Sequence, residues 1–98
     1  MPYTLEQIRQ LIKPIADAYG VKKVSVFGSY SRGTASDQSD LDLLISKGKI
    51  RSLFQLSGFR LAIEDALRLP VDLVTSEAND RAFLSLIAPD EVTIYEST

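Results

Sequence analysis

Asp40 and Asp42 stand two residues apart at the head of an apolar run, Leu41-Asp42-Leu43-Leu44-Ile45. Aspartate is depleted in strands, so two of them here need a reason. Alternate side chains of a strand share a face and lie roughly 7 Å apart along it. Both carboxylates therefore point one way, and Leu41, Leu43 and Ile45 point the other. Like charges aimed at one spot repel unless a cation or a proton sits between them. An all-oxygen donor set suits Mg²⁺ or Mn²⁺, and Mg²⁺ typically joins one or two carboxylates to a substrate's phosphates. Asp72 supplies a third acid in the short run Val71-Asp72-Leu73-Val74-Thr75. If the two runs pair side by side, the three acids meet. Two cations about 3.5–4 Å apart would then stabilise the attacking and leaving oxygens of an in-line displacement at phosphorus. In that arrangement Asp40 and Asp42 share the metals, and Asp72 either holds the metal nearer the nucleophile or accepts the nucleophile's proton.

Upstream, Val24-Ser25-Val26-Phe27 runs into Gly28-Ser29-Tyr30-Ser31-Arg32-Gly33. Gly28 permits close backbone approach to a phosphate, the amides of a following helical turn point at an anion, and Ser29 adds a hydroxyl donor. Arg32 either clamps a phosphate bidentately or is a solvated loop charge; its type alone does not choose. Tyr30 fits packing beneath the turn better than contact with a base, and Gly33 fits the end of the turn. Taken singly, each acid has an ordinary explanation: Asp40 as a turn cap, Asp42 and Asp72 as edge-strand charges. Their joint occurrence with the Gly-Ser turn favours the phosphate-transfer chemistry.

The elements that must position these groups follow from periodicity. Thr4 with Gln7 forms a capping-box pattern, and Leu5, Ile8, Leu11, Ile12, Ile15 and Tyr19 recur at helical spacing up to a stop at Gly20. Pro14 within this run predicts a kink or the start of a second helix. Strands are expected at residues 24–27, 41–45, 71–75 and 92–95. A polar loop covers residues 34–39, and Lys47, Lys49 and Arg51 make a solvated basic turn around Gly48. An amphipathic helix is expected over residues 52–69, with Leu53, Leu56, Ile63 and Leu67 as its core stripe. Gly58 inside it allows close packing or marks a bend. Asn79 or Asp80 caps a short helix ending at Ile87. The order helix-strand-turn-strand-helix-strand-helix-strand predicts an α/β (α+β) fold with one small mixed sheet of about four strands flanked by helices.

Composition narrows the chemistry. The sequence has 98 residues, 45% of them hydrophobic, a formal net charge of −2, no cysteine and no histidine. One domain spanning residues 1–98 is expected. Thiolate sites, histidine-based zinc sites and Ser-His-Asp triads are excluded, leaving carboxylates, Tyr, Lys or water for proton transfer. The absence of a basic tract disfavours long polynucleotides as ligands. No stretch is apolar enough for a signal or a membrane span, so cytoplasm is the expected compartment.

The string Phe27-Gly28-Ser29-Tyr30-Ser31-Arg32-Gly33, the later Ser39-Asp40-Leu41-Asp42-Leu43-Leu44-Ile45 and the strand acid Asp72 together resemble the nucleotidyltransferase superfamily related to DNA polymerase beta. They resemble in particular its minimal single-domain branch, the MNT or MntA-type antitoxins. The resemblance implies transfer of a nucleoside monophosphate, usually AMP from ATP, with Mg²⁺ and release of pyrophosphate. In that branch the acceptor is a tyrosine of a HEPN-domain toxin, whose RNase activity the modification silences. Position by position, it implies that Gly28 and Ser29 hold the triphosphate, that Asp40 and Asp42 bind metal and that Asp72 completes the triad. Ser31 departs from the small alanine common in the motif, a minor change. The sequence is too short for the nucleic-acid-gripping domains of polymerases, so the acceptor side of the cleft must come from a partner, from self-association or from the acceptor itself. Two competitors remain open: an antitoxin or adaptor that neutralises by binding alone, and a small-molecule nucleotidyltransferase.

Overall fold

The computed structural model describes residues 2–78 and 80–97. Helix α1 (Leu5–Tyr19) starts on Thr4, whose hydroxyl accepts from Gln7 N while the Gln7 side chain accepts from Thr4 N. It ends on Gly20 at φ 69°. Strand β1 (Lys23–Phe27) leads into the single turn α2 (Ser29–Arg32). Then come β2 (Leu41–Ser46), α3 (Leu53–Leu67), β3 (Val71–Thr75), α4 (Arg81–Ile87), a 3₁₀ turn (Ala88–Asp90) and β4 (Val92–Glu96). Asp80 caps α4, its carboxylate accepting from Phe83 N at 2.9 Å; the alternative cap Asn79 lies outside the described residues.

The sheet order is β3-β2-β1-β4, with β2 and β3 parallel and the other pairs antiparallel. The near-uniformly apolar β2 is thus an inner strand, as its composition predicts. Register fixes the two faces. Val24 pairs with Ile45, Val26 with Leu43, and Leu43 with Leu73. These residues meet Ile8, Ile12 and Ala16 of α1 and Phe59, Ile63 and Leu67 of α3 in one core. Ser25, Phe27, Asp42, Leu44, Ser46 and Asp72 point to the opposite face by alternation, where α4 is held by an edge-to-face contact of Phe83 on Phe27 (centroids 6.4 Å apart).

Two expectations, at Pro14 and at Leu53, are corrected. Pro14 begins no second helix; α1 runs through it. Pro14 and Gln10 are both exposed, so the carbonyl left without its helical donor can bond to water, which limits the usual penalty. Asp40 lies one residue before β2, as the strand expected over residues 41–45 has it. Leu53 is not core but 81% exposed, and the adjacent Phe54 is 90% exposed. The reason lies in the pairing of the two long helices. Tyr3 Oη donates to Leu67 O at 2.7 Å, while Tyr19 packs on Phe59 (centroids 5.5 Å apart) and against Gly58. Helix α1 therefore covers α3 from about Gly58 onward, and the first turn of α3 projects past it. Gly58 serves close packing: a Cβ there would come within 3.1 Å of the Tyr19 hydroxyl.

Candidate active site

The end of β1 delivers the turn. Gly28 has φ 74° and ψ −150°, a region that side-chain-bearing residues essentially never enter. Its missing side chain also matters sterically, because a Cβ would collide with Asp42 Oδ2. The backbone of the turn thus lies directly against the acid of the neighbouring strand, whose register partner is Phe27. The turn is closed by its own bonds. Arg32 N donates to Gly28 O at 3.1 Å and Thr34 N to Ser29 O at 3.0 Å, and Gly33 ends it at φ 76°. Ser31 Oγ donates back to Gly28 O at 2.9 Å, so its hydroxyl is satisfied within the turn. Tyr30 is buried in the core under the turn, and burial raises its hydroxyl pKa first, with Tyr3 and Asp37 adding to it.

The acids arrive from a second direction. In the loop before β2, Ser36 N donates to Ser39 Oγ (2.9 Å), Gln38 N to Ser36 Oγ (3.2 Å) and Ser39 N to Ser36 O (3.1 Å). This self-bonded turn delivers Asp40 to the strand. Leu41 N then donates to Pro70 O at 3.0 Å, which aligns the starts of β2 and β3. Asp42 and Asp72 are direct register partners, on strands about 4.8 Å apart and on the same face. Asp40 and Asp72 are exposed and Asp42 is half-buried. The Asp42 pKa is raised above 3.8, first by its burial and then by the charges of Asp72 and Asp40, with Arg32 opposing the rise. These four side chains therefore share one electrostatic neighbourhood. Arg32 is also engaged elsewhere: Nη1 donates to Asp90 Oδ2 at 2.9 Å.

The structure thus brings together Gly28, Asp40, Asp42 and Asp72, with Ser29 opening the adjoining turn and Arg32 at its end. It separates the basic turn from them, because Lys47 follows the other end of β2, about 16 Å from Asp42 by strand rise; there Lys47 N donates to Glu77 Oε2 at 3.1 Å. Among the described residues, no group of three acids stands as a ready-made metal cage. The donor chemistry of Asp40, Asp42 and Asp72 nevertheless fits a hard divalent cation, which needs only one or two carboxylates when phosphates complete its shell. Asp90 was missed by sequence reasoning: its contact with Arg32 spans 58 residues, and no local pattern reports it.

Comparison with known proteins gives this geometry a class. Residues 8–95 match the nucleotidyltransferase domain family. Protein adenylyltransferase MntA of Thermococcus cleftensis is 39% identical over 75 residues, covering 72% of this chain and 76% of the relative. A solved structure described as a minimal nucleotidyltransferase superposes with a TM-score of 0.78 at 29% identity, covering 92% of this chain and 95% of the other. A chain from the complex of tri-AMPylated Shewanella oneidensis HEPN toxin with MNT antitoxin superposes with a TM-score of 0.73 at 14% identity, covering 96% and 74%. The chain belongs to the nucleotidyltransferase domain family, and its relatives there include a protein named as a protein adenylyltransferase and a structure described as a minimal nucleotidyltransferase. The mixed four-stranded sheet flanked by helices, expected from the sequence, is the fold these relatives share.

Proposed function

We propose that the protein moves AMP from ATP to a tyrosine of a HEPN-type toxin and acts as the antitoxin of that pair in the cytoplasm. The observation that carries this reading is the register pairing of Asp42 with Asp72 beside Gly28, three like charges with Asp40 and little opposing charge. Asp40, Asp42 and Asp72 would hold Mg²⁺ (two ions, or Mn²⁺ in their place), and that cation supplies charge neutralisation at the α- and β-phosphates when bound. Gly28 lets the backbone of the turn approach the triphosphate, and Ser29 adds a hydroxyl donor. Arg32, whose charge acts on Asp42, would turn to the same phosphates on leaving Asp90. The tyrosine oxygen attacks the α-phosphorus, the bond to the β-phosphate oxygen breaks, and pyrophosphate departs. Asp72, exposed on the edge strand of the sheet, would hold the metal nearer the nucleophile or accept the tyrosine proton.

The relatives' protein-adenylyltransferase names and the tri-AMPylated toxin of the Shewanella complex support a protein acceptor. So does the open site, which leaves the acceptor side of the cleft to a second chain or to a copy of this one. No helix among the described residues is long and apolar enough to cross a membrane.

The test is label transfer from α-labelled ATP with Mg²⁺ to a HEPN-type protein encoded beside this chain, using wild type and Asp42→Asn. Label on that protein with wild type alone establishes the reading. Equal complex formation by both variants with no label replaces it with neutralisation by binding. Label only on a low-mass acceptor replaces it with a small-molecule nucleotidyltransferase.

A further inference from the structure

We infer that Glu64, on the last turn of α3, is a positioning residue for Asp72. This rests on the reading of Asp72 as a member of the acid site. Glu64 holds the junction between α3 and β3 twice. Its main-chain carbonyl accepts from Arg68 N at 2.7 Å, closing the helix on a residue with φ 58°. Its carboxylate Oε2 accepts from Val71 N at 2.8 Å, the residue directly before Asp72. Only Arg68, Leu69 and Pro70 separate the helix from the strand, and Pro70 has a fixed φ and no amide hydrogen. The path from Glu64 to Asp72 is therefore short and stiff.

The bond fills a specific gap. Pro70 O faces β2 and accepts from Leu41 N. The next residue faces the other way, so the Val71 N–H turns to the open edge of the sheet, where β3 has no neighbouring strand. Edge amides are ordinarily left to water. Here a carboxylate whose side chain is only 25% exposed takes the amide, and Arg60 Nη1 donates to the same oxygen at 3.2 Å. The Pro70 bond fixes β3 against the strand of Asp40 and Asp42, and the Glu64 bond fixes it from outside. Together they set the register that brings Asp72 opposite Asp42. Glu64 touches neither phosphate nor acceptor; it acts through the backbone that carries Asp72.

Two measurements on Glu64→Ala, Glu64→Gln and wild type test this. Amide hydrogen exchange of the metal-free protein reads the tether directly at Val71 and its consequence at Asp72: loss of a bond to a charged acceptor should speed exchange at Val71 and Asp72 by about tenfold or more. Mn²⁺ affinity in the presence of a non-hydrolysable ATP analogue reads the site. Outer residues that orient metal ligands typically change affinity about 10–100-fold, and that loss is expected for Glu64→Ala. Glu64→Gln retains a carbonyl acceptor for Val71 N and should restore both readouts although it gives up the charge facing Arg60. Ser25→Ala, in the middle of β1 and bonded to Glu91 rather than to the acids, serves as the control for a general loss of stability and should leave Mn²⁺ affinity unchanged. Unchanged exchange at Asp72 in Glu64→Ala overturns the inference, as does wild-type Mn²⁺ affinity in that variant. Failure of AMP transfer by wild type, with both Glu64 effects present, would overturn the transferase reading and leave the positioning role standing.

Discussion

The two ends of the site-bearing sheet face hold similar numbers of polar groups and treat them in opposite ways. At the far end, Ser25 Oγ donates to Glu91 Oε2 at 2.8 Å, Lys23 Nζ lies 3.8 Å from the same oxygen, and Ser46 and Ser76 share a hydrogen bond of 3.1 Å. A cavity of about 200 Å³ opens there, yet each of these groups has a partner within the fold. At the near end, Asp42 feels Asp72 and Asp40 as like charges, and the cation that offsets them, Arg32, is bonded to Asp90. Groups satisfied internally describe a structural cluster. An excess of one sign, held in register by the backbone, describes a site that gains stability from something outside the chain.

The largest test of that contrast is Gly28→Ala. A β-carbon there meets Asp42 Oδ2 in a backbone region reserved for glycine, so unfolding free energy should fall by about 1–3 kcal/mol and AMP transfer should be lost. A variant with wild-type melting temperature and activity would break the steric link between turn and acid. Cation binding comes next. At a concentration a hundred times the dissociation constant, Mg²⁺ or Mn²⁺ with nucleotide should add about 2.7 kcal/mol to the stability of wild type and far less to Asp42→Asn. Without cation the order reverses. The folded state holds the Asp42 proton more tightly than the unfolded chain does, because the pKa is raised. Ionising Asp42 therefore works against the fold. Wild type should match Asp42→Asn at low pH and fall below it as pH climbs through the window that begins near 3.8. Thermal melts of both variants from pH 3 to 7 would show the gap opening; a gap that closes instead would mean the acids are satisfied internally.

At the far end, Ser25→Ala removes the donor to Glu91 and should cost about 1 kcal/mol with no change in transfer rate. An activity loss there would dissolve the distinction between the two ends. The smallest effect belongs to Asp90→Asn. Exposed ion pairs contribute about 0–1 kcal/mol, so freeing Arg32 should tighten binding of an ATP analogue by no more than about fivefold. Weaker binding would show that Asp90 orients Arg32 rather than competing for it.

Much of this was open to inspection in the sequence. The Gly-Ser turn, the Asp-x-Asp strand and Asp72 were legible because each sits at a local transition, strand to turn or loop to strand, that leaves a pattern in adjacent residues. The capping box at Thr4 and the stop at Gly20 were legible for the same reason. Helix α3 was less so. Its apolar residues lie on more than one side, and which of them are buried depends on where α1 ends against it; hence Leu53 was assigned to the core and stands in solvent. The partner of Arg32 and the tether at Val71 left no sequence signal at all.

The sequence by itself determined the chemistry available here: carboxylates and hydroxyls with no histidine or cysteine, acids at strand starts, and a glycine where a backbone must come close. Side-chain type and spacing along one strand are enough for that, because alternation and turn preferences act over a few residues. Only the tertiary structure decided that Asp72 faces Asp42 in a parallel pair, that Arg32 is held by Asp90, and that Glu64 accepts from Val71 N at the start of the edge strand. Those contacts join residues that are distant or differently oriented in sequence. Their geometry is set by how the sheet orders its strands and by where two antiparallel helices stop covering one another, quantities that no local pattern contains.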